Sequence, residues 1–254
     1  MIPKIIHYCW FGRNPLPKLA KKCIRSWKKY CPDYEIREWN EDNFNISSAP
    51  LYVRQAYEAK KWAFVTDYVR LYAIFNIGGI YMDTDVEVIQ PLDAFLNNRA
   101  FSGFESEKYV QTGIMASEKG HELIKELLDE YDSAHFINDN GELNLETNVV
   151  RITKRMVGYN LVLNNNEQTV KGMTFYPSEY FCPIDLSTRK LKLTSNTYTI
   201  HHFSGSWISA EDHKKIRAAQ RRRRWEEIRY SPNRALLKLL GEEKYGALKK
   251  LFGR

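Results

Sequence analysis

The N-terminal part of the chain alternates short apolar runs with one stretch of helical periodicity. Residues 4–10 form an apolar and aromatic run that is closed by glycine and proline, which predicts a strand followed by a loop. Apolar residues recur at the spacing of one helix face between residues 19 and 30, and residues 34–39 alternate as a second strand. This order of strand, helix and strand indicates the beginning of an α/β domain.

The middle of the chain predicts a buried helix that leads into a third strand. Residues 52–59 have the pattern of a short helix, and residues 62–77 are apolar on almost every side. Because a helix that is apolar all round has no face for water, we expect the second helix to be buried. Gly78 follows it and is placed to end it.

The pattern up to residue 203 continues the alternation of strands and helices. We expect strands at residues 100–104, 110–116, 169–176 and 197–203, and helices at residues 121–131 and 149–157. Residues 136–148 are polar and rich in turn formers, so they predict a loop over the sheet.

Two carboxylates follow the third strand at positions i and i+2. The segment reads Gly78-Gly79-Ile80-Tyr81-Met82-Asp83-Thr84-Asp85. Side chains two apart on an extended backbone point to the same face, so Asp83 and Asp85 converge on one point. Like charges this close favour a divalent cation held by oxygen ligands. The segment therefore predicts a metal site, and the alternative is an acidic strand end that faces water.

Three other places carry candidate chemistry. Asp67 and Arg70 lie three residues apart in the buried helix, so they form an internal ion pair or contact a ligand. Trp10 ends the first strand, where its ring either stacks on a ligand or fills the core under a loop. The late pair His201 and His202 is either structural or supplies a metal ligand.

Composition indicates a globular body with a basic C-terminal tail. The 254 residues are 43% hydrophobic, which suits one domain of about 200 residues and an appendage. Residues 208–254 hold 14 basic and 6 acidic residues, whereas residues 1–207 hold 24 and 25. The tail alternates this charge with Trp, Leu and Phe, a pattern typical of helices that lie on an anionic membrane. A solvated arm or a packed helix is the alternative.

The cysteines and the N-terminus bear on location. The four cysteines form no C-x-x-C pair, and a chain of this length needs no disulfide framework. No apolar signal segment follows Met1, and no run approaches the roughly 18 apolar residues of a membrane span. We therefore expect a cytoplasmic, reducing location, peripheral on the inner face of the cell membrane.

Taken together, the motifs resemble those of the D-x-D glycosyltransferases of family 32. The segment Thr66-Asp67-Tyr68-Val69-Arg70 and the glycine-led D-x-D segment are similar to the family's S-D-x-x-R and G-G-x-Y-x-D-x-D blocks, and a late His-His-Phe-Ser-Gly-Ser-Trp run ends at Trp207. The family includes bacterial capsular and lipopolysaccharide sugar transferases and yeast Och1-type mannosyltransferases, and the clostridial glucosylating toxins look like distant relatives.

The resemblance covers about residues 2–207 and implies a GT-A type nucleotide-sugar-binding fold. Such a fold has a mostly parallel central sheet flanked by helices. Residues 1–207 would form the catalytic domain, and residues 208–254 would form a basic amphipathic helical tail. The donor would bind at the carboxyl ends of the strands.

The resemblance also implies roles for single residues. The implied catalytic set is Asp67, Arg70, Asp83 and Asp85, and the implied ligands of Mn²⁺ or Mg²⁺ are Asp83, Asp85 and His202. His202 is preferred to His201 because it fits the family's H-[YF]-x-G pattern. The implied donor-binding set is Tyr8, Trp10, Asp67, Arg70, Tyr81, Asp83 and Trp207, with the Trp10 ring on the nucleobase and Trp207 over the diphosphate. Glu105 and Gln111 are candidates for the side of the anomeric carbon.

The implied activity is metal-dependent, retaining transfer of a hexosyl unit from a nucleotide-sugar. We expect UDP-galactose, UDP-glucose or their N-acetyl forms before GDP-mannose, and a surface polysaccharide or lipid-linked glycan as acceptor. One alternative is a haloacid-dehalogenase-type phosphatase, which also places D-x-D after an apolar strand. Another is a nucleic-acid binder acting through the arginines at 221–224, but the body lacks a basic stripe, so a nucleic-acid partner is not expected.

Overall fold

The structure is a computed structural model that describes residues 1–185 and 188–205. Residues 1–204 form one compact unit. The strands are β1 (Ile5–Cys9), β2 (Glu35–Trp39), β3 (Gly79–Met82), β4 (Val86–Val88), β5 (Ala100–Ser106), β6 (Tyr109–Val110), β7 (Ile114–Ser117), β8 (Gln168–Val170), β9 (Met173–Tyr176) and β10 (Thr199–His201). The helices are α1 (Lys18–Tyr30), α2 (Leu51–Glu58), α3 (Trp62–Asn76), α4 (Glu122–Asp129), α5 (Asn148–Gly158) and α6 (Ser178–Phe181).

The central sheet has the strand order β2-β1-β3-β7-β5-β9-β8, with β6 paired to β5. Strands β2, β1, β3, β5 and β9 run in one direction, and β7 and β8 run against them. The sheet is therefore mostly parallel along this path of described strands. Strands β4 and β10 form a separate antiparallel pair, in which His201 lies opposite Val86.

Two hydrophobic cores cover the two faces of the sheet, as the alternation within β3 shows. Ile80 and Met82 face the core that contains Trp27 of α1, and Tyr81 between them faces the core formed with α2, α3, α4 and α5. Because neighbouring side chains in a strand point to opposite faces, one buried strand contributes to both cores. The predicted α/β class, with a mostly parallel sheet flanked by helices, is confirmed.

Helix α3 is buried and turns directly into β3, as its sequence predicts. Gly78 accepts the reversal at a φ of +80°, and its N–H donates to the carbonyl oxygen of Ile74 at 3.0 Å. Gly79 follows at a φ of +113°, where an added Cβ would lie 2.7 Å from the carbonyl oxygen of Ile5. The glycine pair is thus required both by the backbone conformation and by the close approach of β1.

Several elements differ in detail from the sequence prediction. The expected strand at 110–116 is two short strands, because residues 111–113 leave the sheet between β6 and β7. The expected strand at 169–176 is a hairpin that reverses at Lys171 and Gly172, both with positive φ. The expected strand at 197–203 is β10 at Thr199–His201, and its pairing with β4 was not predicted. Helix α6 was not predicted either, since four residues are too few to show a helical period.

The boundary expected at residue 207, the tail at 208–254 and Trp207 lie outside the described residues. The division into a catalytic domain and a tail stays a prediction. Within the described part of the chain, no helix is both long enough and apolar enough to span a bilayer.

Candidate active site

The D-x-D segment lies in a turn at the end of β3 rather than along the strand. The N–H of Asp83 donates to the carbonyl oxygen of Gly113 at 2.8 Å, and the N–H of Val86 donates to the carbonyl oxygen of Asp83 at 3.0 Å. This second bond closes the turn before β4 begins. The backbone is therefore a turn where an extended strand was predicted, and both carboxylates still reach one place because the turn folds Asp85 back.

An Asp-Asp-His cluster forms where this turn meets β10. One ligand atom from each of Asp83, Asp85 and His201 lies within 4.8 Å of the others. The side chains of Asp83 and Asp85 are 26% and 14% exposed, and that of His201 is 12% exposed, so the cluster is partly buried and still accessible to a ligand. Two carboxylates and an imidazole are donors that suit a divalent cation such as Mn²⁺, so these residues fit the metal that the D-x-D motif implies.

The structure places His201, not His202, in this cluster. His201 Nε2 lies 3.3 Å from Asp85 Oδ1, whereas His202 Nε2 lies 2.8 Å from Glu87 Oε2. Consecutive side chains on an extended segment point in opposite directions, so only one histidine of the pair can face Asp85. The geometry therefore favours His201, whereas the motif favoured His202, and the identity of the histidine ligand stays a prediction.

The His201 ring is held from several sides. Its centroid lies 4.1 Å from that of Phe203, with the rings nearly stacked at 23°. Its Nδ1 lies 4.0 Å from the thiol sulfur of Cys182. A Cβ at Gly113 would lie 2.8 Å from ring atoms Cε1 and Nδ1 and 3.4 Å from Asp83 Oδ2. Gly113 therefore leaves the space in which His201 and Asp83 meet.

Asp67 and Arg70 of α3 lie beside the cluster. Arg70 Nη2 is 3.0 Å from Asp67 Oδ1 and 3.5 Å from Asp83 Oδ1, and Nη1 donates to the carbonyl oxygen of Thr112 at 2.6 Å. The guanidinium lies over the Tyr81 ring, 4.6 Å from its centroid, and the Tyr81 hydroxyl donates to Asp83 Oδ1 at 2.7 Å. The ion pair of the sequence analysis therefore extends to the first D-x-D carboxylate.

Burial and charge shift the pKa values of the acidic groups in this region. Burial raises the pKa of Asp67 to about 6, against the opposing effect of Arg70. Burial would also raise the pKa of Asp85, but the hydrogen bonds from His201 and from the Ser204 N–H outweigh it and hold that pKa well below its usual range. Burial lowers the pKa of His201. The hydrogen bond and the charge of Asp85 raise it by more, so the net shift is upward.

Helix α5 starts next to Asp67. Asn148, the first residue of α5, is buried, and its side-chain amide donates to the backbone carbonyl of Asp67 at 3.3 Å. The Arg151 guanidinium stacks on the Tyr131 ring, 4.8 Å from its centroid, and favours the ionised form of Asp67. The loop at 136–148 thus leads into the site, as a loop carrying selectivity would.

The other predicted donor-binding residues take different positions. Tyr8 is buried, with its hydroxyl donating to Glu38 Oε2 at 2.5 Å. Trp10 is half-buried at the end of β1, and its indole N–H donates to the carbonyl oxygen of Asn14 at 2.5 Å. The structure therefore brings Asp67, Arg70, Tyr81 and Asp83 together, and among the described residues Tyr8 and Trp10 form no hydrogen bond or ring contact with them.

Glu105 and Gln111 differ in their contacts, because the Gln111 side-chain oxygen is engaged whereas no side-chain hydrogen bond or ion pair of Glu105 occurs among the described residues. Burial raises the pKa of Glu105. The charge of Asp83 adds to this rise, and the charge of His201 opposes it. Gln111 is buried, and its Oε1 accepts from the Ile114 N–H and from the Cys182 thiol, each at 3.3 Å. Gln111 thus supports the wall behind His201. Sequence reasoning had no signal for Gly113 or Cys182, whose importance comes from what packs against them.

Comparison with known proteins finds similarity to glycosyltransferases over part of the chain. Residues 17–102 match the family model described as a glycosyltransferase sugar-binding region containing a DXD motif. The chain is 29% identical to inositol phosphoceramide mannosyltransferase 3 of Schizosaccharomyces pombe over 131 residues, and 26% identical to inositol phosphoceramide mannosyltransferase 1 of the same yeast over 110 residues. These alignments cover 50% and 39% of this chain. The chain spans only 36% and 33% of the length of these two relatives.

Solved structures of glycosyltransferases show weaker likeness. The galactosyltransferase LgtC is 15% identical with a TM-score of 0.41, and the alignment covers 80% of this chain and 88% of that one. A glycosyltransferase involved in glycosylation of the major capsid of PBCV-1 is 12% identical with a TM-score of 0.45, over 84% of this chain and 100% of that one. The matched region 17–102 contains both Asp67 with Arg70 and the Asp83 to Asp85 turn, so this part of the chain is similar to glycosyltransferase sugar-binding regions that contain a DXD motif.

Proposed function

We propose that this chain transfers a hexosyl unit from a nucleotide-sugar in a reaction that depends on a divalent metal. The observation that carries the proposal is the cluster of Asp83, Asp85 and His201, whose ligand atoms lie within 4.8 Å of one another. In place of His202, we assign His201 as the third ligand. A bound Mn²⁺ or Mg²⁺ would neutralise the diphosphate leaving group at this site.

The chain's own residues would order the site around that charge. Arg70 contacts both Asp67 and Asp83, so it holds two carboxylates at fixed positions and balances part of their charge. The Tyr81 hydroxyl donates a hydrogen bond to Asp83, and the Arg70 guanidinium lies over the Tyr81 ring. This arrangement suits a donor whose sugar and ribose hydroxyls lie over Asp67 and whose diphosphate lies over the D-x-D turn.

The family resemblance suggests retention of configuration, and Glu105 is the residue we assign to the reacting face of the sugar. Its carboxylate has no hydrogen bond or ion pair within residues 1–185 and 188–205, and its pKa responds to both His201 and Asp83. Retention proceeds through a carboxylate nucleophile or through front-side attack by the acceptor. Glu105 could serve the first as nucleophile or the second by stabilising positive charge on the ring.

Several sugars are candidates for the donated hexosyl unit. The two curated relatives are named as mannosyltransferases, which supports mannose as a candidate beside galactose, glucose and their N-acetyl forms. Their names also give a lipid, inositol phosphoceramide, as acceptor, which supports a lipid-linked glycan or glycolipid acceptor here. A cytoplasmic enzyme held on an anionic membrane by residues 208–254 would be placed to reach such an acceptor.

A donor screen tests the proposal. The purified chain is incubated with Mn²⁺ or with EDTA and with GDP-mannose, UDP-galactose, UDP-glucose or the N-acetyl donors, and sugar release is measured. We expect turnover with at least one donor in Mn²⁺ only, and loss of turnover in Asp85→Ala with an unchanged Tm. Asp129→Ala is the matched control, since Asp129 is an exposed carboxylate paired with Lys125. Absence of both turnover and Mn²⁺-induced thermal stabilisation with every donor would refute the proposal.

A further inference from the structure

Helix α1 presents a face that carries only positive charge. Its thirteen residues include six basic ones and no acidic one. All six are exposed: Lys18, Lys21, Lys22, Arg25, Lys28 and Lys29. The body up to residue 207 has almost equal numbers of basic and acidic residues, so this face is a local concentration of charge.

Most of these charges have no carboxylate partner within residues 1–185 and 188–205. Lys22 Nζ lies 2.7 Å from Glu87 Oε2, and in the described part of the chain no other basic residue of α1 has an acidic group within 4.0 Å. The apolar side of the helix is already used, because Ala20, Cys23 and Trp27 are buried in the core. The helix therefore cannot insert into another apolar phase, and only its charged face remains open.

The charge pattern is unfavourable for the helix itself. Arg25 has like-charged neighbours three or four residues away on both sides, at Lys21 and Lys28 among others, and such pairs destabilise a helix. Lys18 and Lys21 lie in the first turn, where the helix dipole favours acidic residues, and Pro17 supplies no side-chain cap. An anionic surface against this face would offset both effects.

Helix α1 is hydrogen-bonded to β4, the strand that follows the D-x-D turn. The Trp27 indole N–H donates to the carbonyl oxygen of Val86 at 2.7 Å, and the Val88 N–H donates to Ser26 Oγ at 2.9 Å. The ion pair of Lys22 with Glu87 adds a third link to β4. A surface that binds α1 would thus hold the Asp83 to Asp85 turn at a fixed position relative to itself.

We propose that the basic face of α1 is a docking surface for an anionic lipid membrane. A helix of thirteen residues extends about 20 Å, which spreads the six charges over several lipid headgroups. Five of the six are lysines, which act as point charges and need no planar partner. No fully exposed aromatic ring lies among them for base stacking, which favours a membrane over single-stranded nucleic acid. This surface is separate from the tail at 208–254, and the proposal stands whichever sugar is transferred.

Vesicle binding by the full chain tests the proposal. Cosedimentation is measured with phosphatidylcholine vesicles and with vesicles containing 30% phosphatidylglycerol, at about 0.15 M salt. The triple variant Lys21→Gln, Arg25→Gln and Lys28→Gln should bind the anionic vesicles on the order of a hundredfold more weakly, at about fivefold per charge. The matched control replaces three exposed lysines elsewhere, Lys60→Gln, Lys108→Gln and Lys119→Gln, with the same change in net charge. We expect the affinity of this control variant for the anionic vesicles to fall by less than about tenfold.

Lys18→Glu separates docking from folding. It places an acidic residue in the first turn, four residues before Lys22 and on the same helix face. Tm should therefore rise while binding to anionic vesicles weakens. Donor hydrolysis in solution should be unchanged in all α1 variants, so a failed docking surface and a failed enzymatic assignment give different results. Equal loss of vesicle binding in the α1 and control triple variants would overturn the proposal. So would tighter binding of a single-stranded RNA oligonucleotide than of anionic vesicles.

Discussion

The His201 imidazole lies 3.3 Å from the Asp85 carboxylate, although the two residues are more than a hundred positions apart in sequence. The contact depends on the antiparallel pairing of β10 with β4, which sets His201 opposite Val86. It also depends on Gly113, which has no side chain to occupy the space of the His201 ring. A strand pair and a glycine together thus determine which histidine faces the D-x-D turn.

The two histidines should differ sharply as metal ligands. His201→Ala removes a donor atom from the cluster, so Mn²⁺ affinity should fall by on the order of a hundredfold, whereas His202→Ala removes only a partner of Glu87. Electron paramagnetic resonance of free Mn²⁺ during titration measures both affinities without an activity assay. A greater loss in His202→Ala than in His201→Ala would show that the metal is held by the other histidine.

Gly113→Ala should weaken metal binding without unfolding the chain. The new Cβ would lie 2.8 Å from the His201 ring, so the ring must move away from Asp85. Gly158→Ala is the matched control, because nothing lies within 4 Å of a Cβ there and its φ is not positive. We expect Mn²⁺ affinity to fall about tenfold or more in the first variant and to stay unchanged in the second. Equal affinities in the two variants would contradict the role assigned to Gly113.

Arg70→Lys should be costly despite conserving charge. Arg70 uses Nη2 for Asp67 and Asp83 and Nη1 for the Thr112 carbonyl, and a single ammonium cannot make all three contacts at those positions. Because the site is buried, we expect a loss of about 3 kcal/mol in the free energy of unfolding together with loss of turnover. Urea denaturation measures the first and donor hydrolysis the second. Full turnover in Arg70→Lys would show that Arg70 acts only as a point charge.

The parts of the site that follow from sequence are those encoded by local spacing. Asp67 and Arg70 are three residues apart on a helix, and α3 leads through two glycines into β3, so their proximity to Asp83 could be predicted. Tyr81 in β3 and Asp83 at the start of the following turn are two residues apart, and their side chains are hydrogen-bonded in the structure. Each of these relationships spans fewer than twenty residues.

The parts that sequence did not reveal depend on long-range packing. The choice between His201 and His202 is a difference of one residue in the register of β10, which the short strand does not encode by itself. Gly113 and Cys182 carry no charge or periodic signal, and their effect on His201 appears only when three separate segments meet. The turn at Asp83 to Val86 was missed because the residues after Asp83 continue to alternate as a strand would.

His7 is a buried histidine of β1 that is held neutral by its partners. The Trp39 indole N–H donates to His7 Nδ1 at 3.1 Å, and His7 Nε2–H donates to the carbonyl oxygen of Gly78 at 2.8 Å. Trp39 can only donate and the carbonyl can only accept, so this pair of bonds requires the neutral ring. Burial lowers the pKa of His7 from 6.5 to about 4. The contact with Gly78 ties this protonation state to the turn that precedes β3.

The free energy of unfolding should therefore decrease as the pH is lowered, because of His7. Below pH 6.5 the unfolded chain binds a proton at this residue that the folded chain does not bind until about pH 4, so acid favours unfolding. Between pH 7 and pH 5 the loss amounts to about 2 kcal/mol. Asp67 acts with the opposite sign, because its pKa is raised to about 6 in the folded chain. Urea denaturation of the wild type and of His7→Gln at both pH values isolates His7, since all other groups are shared. The wild type should lose about 2 kcal/mol more than His7→Gln, and equal losses would mean that His7 is already protonated in the folded chain at pH 5.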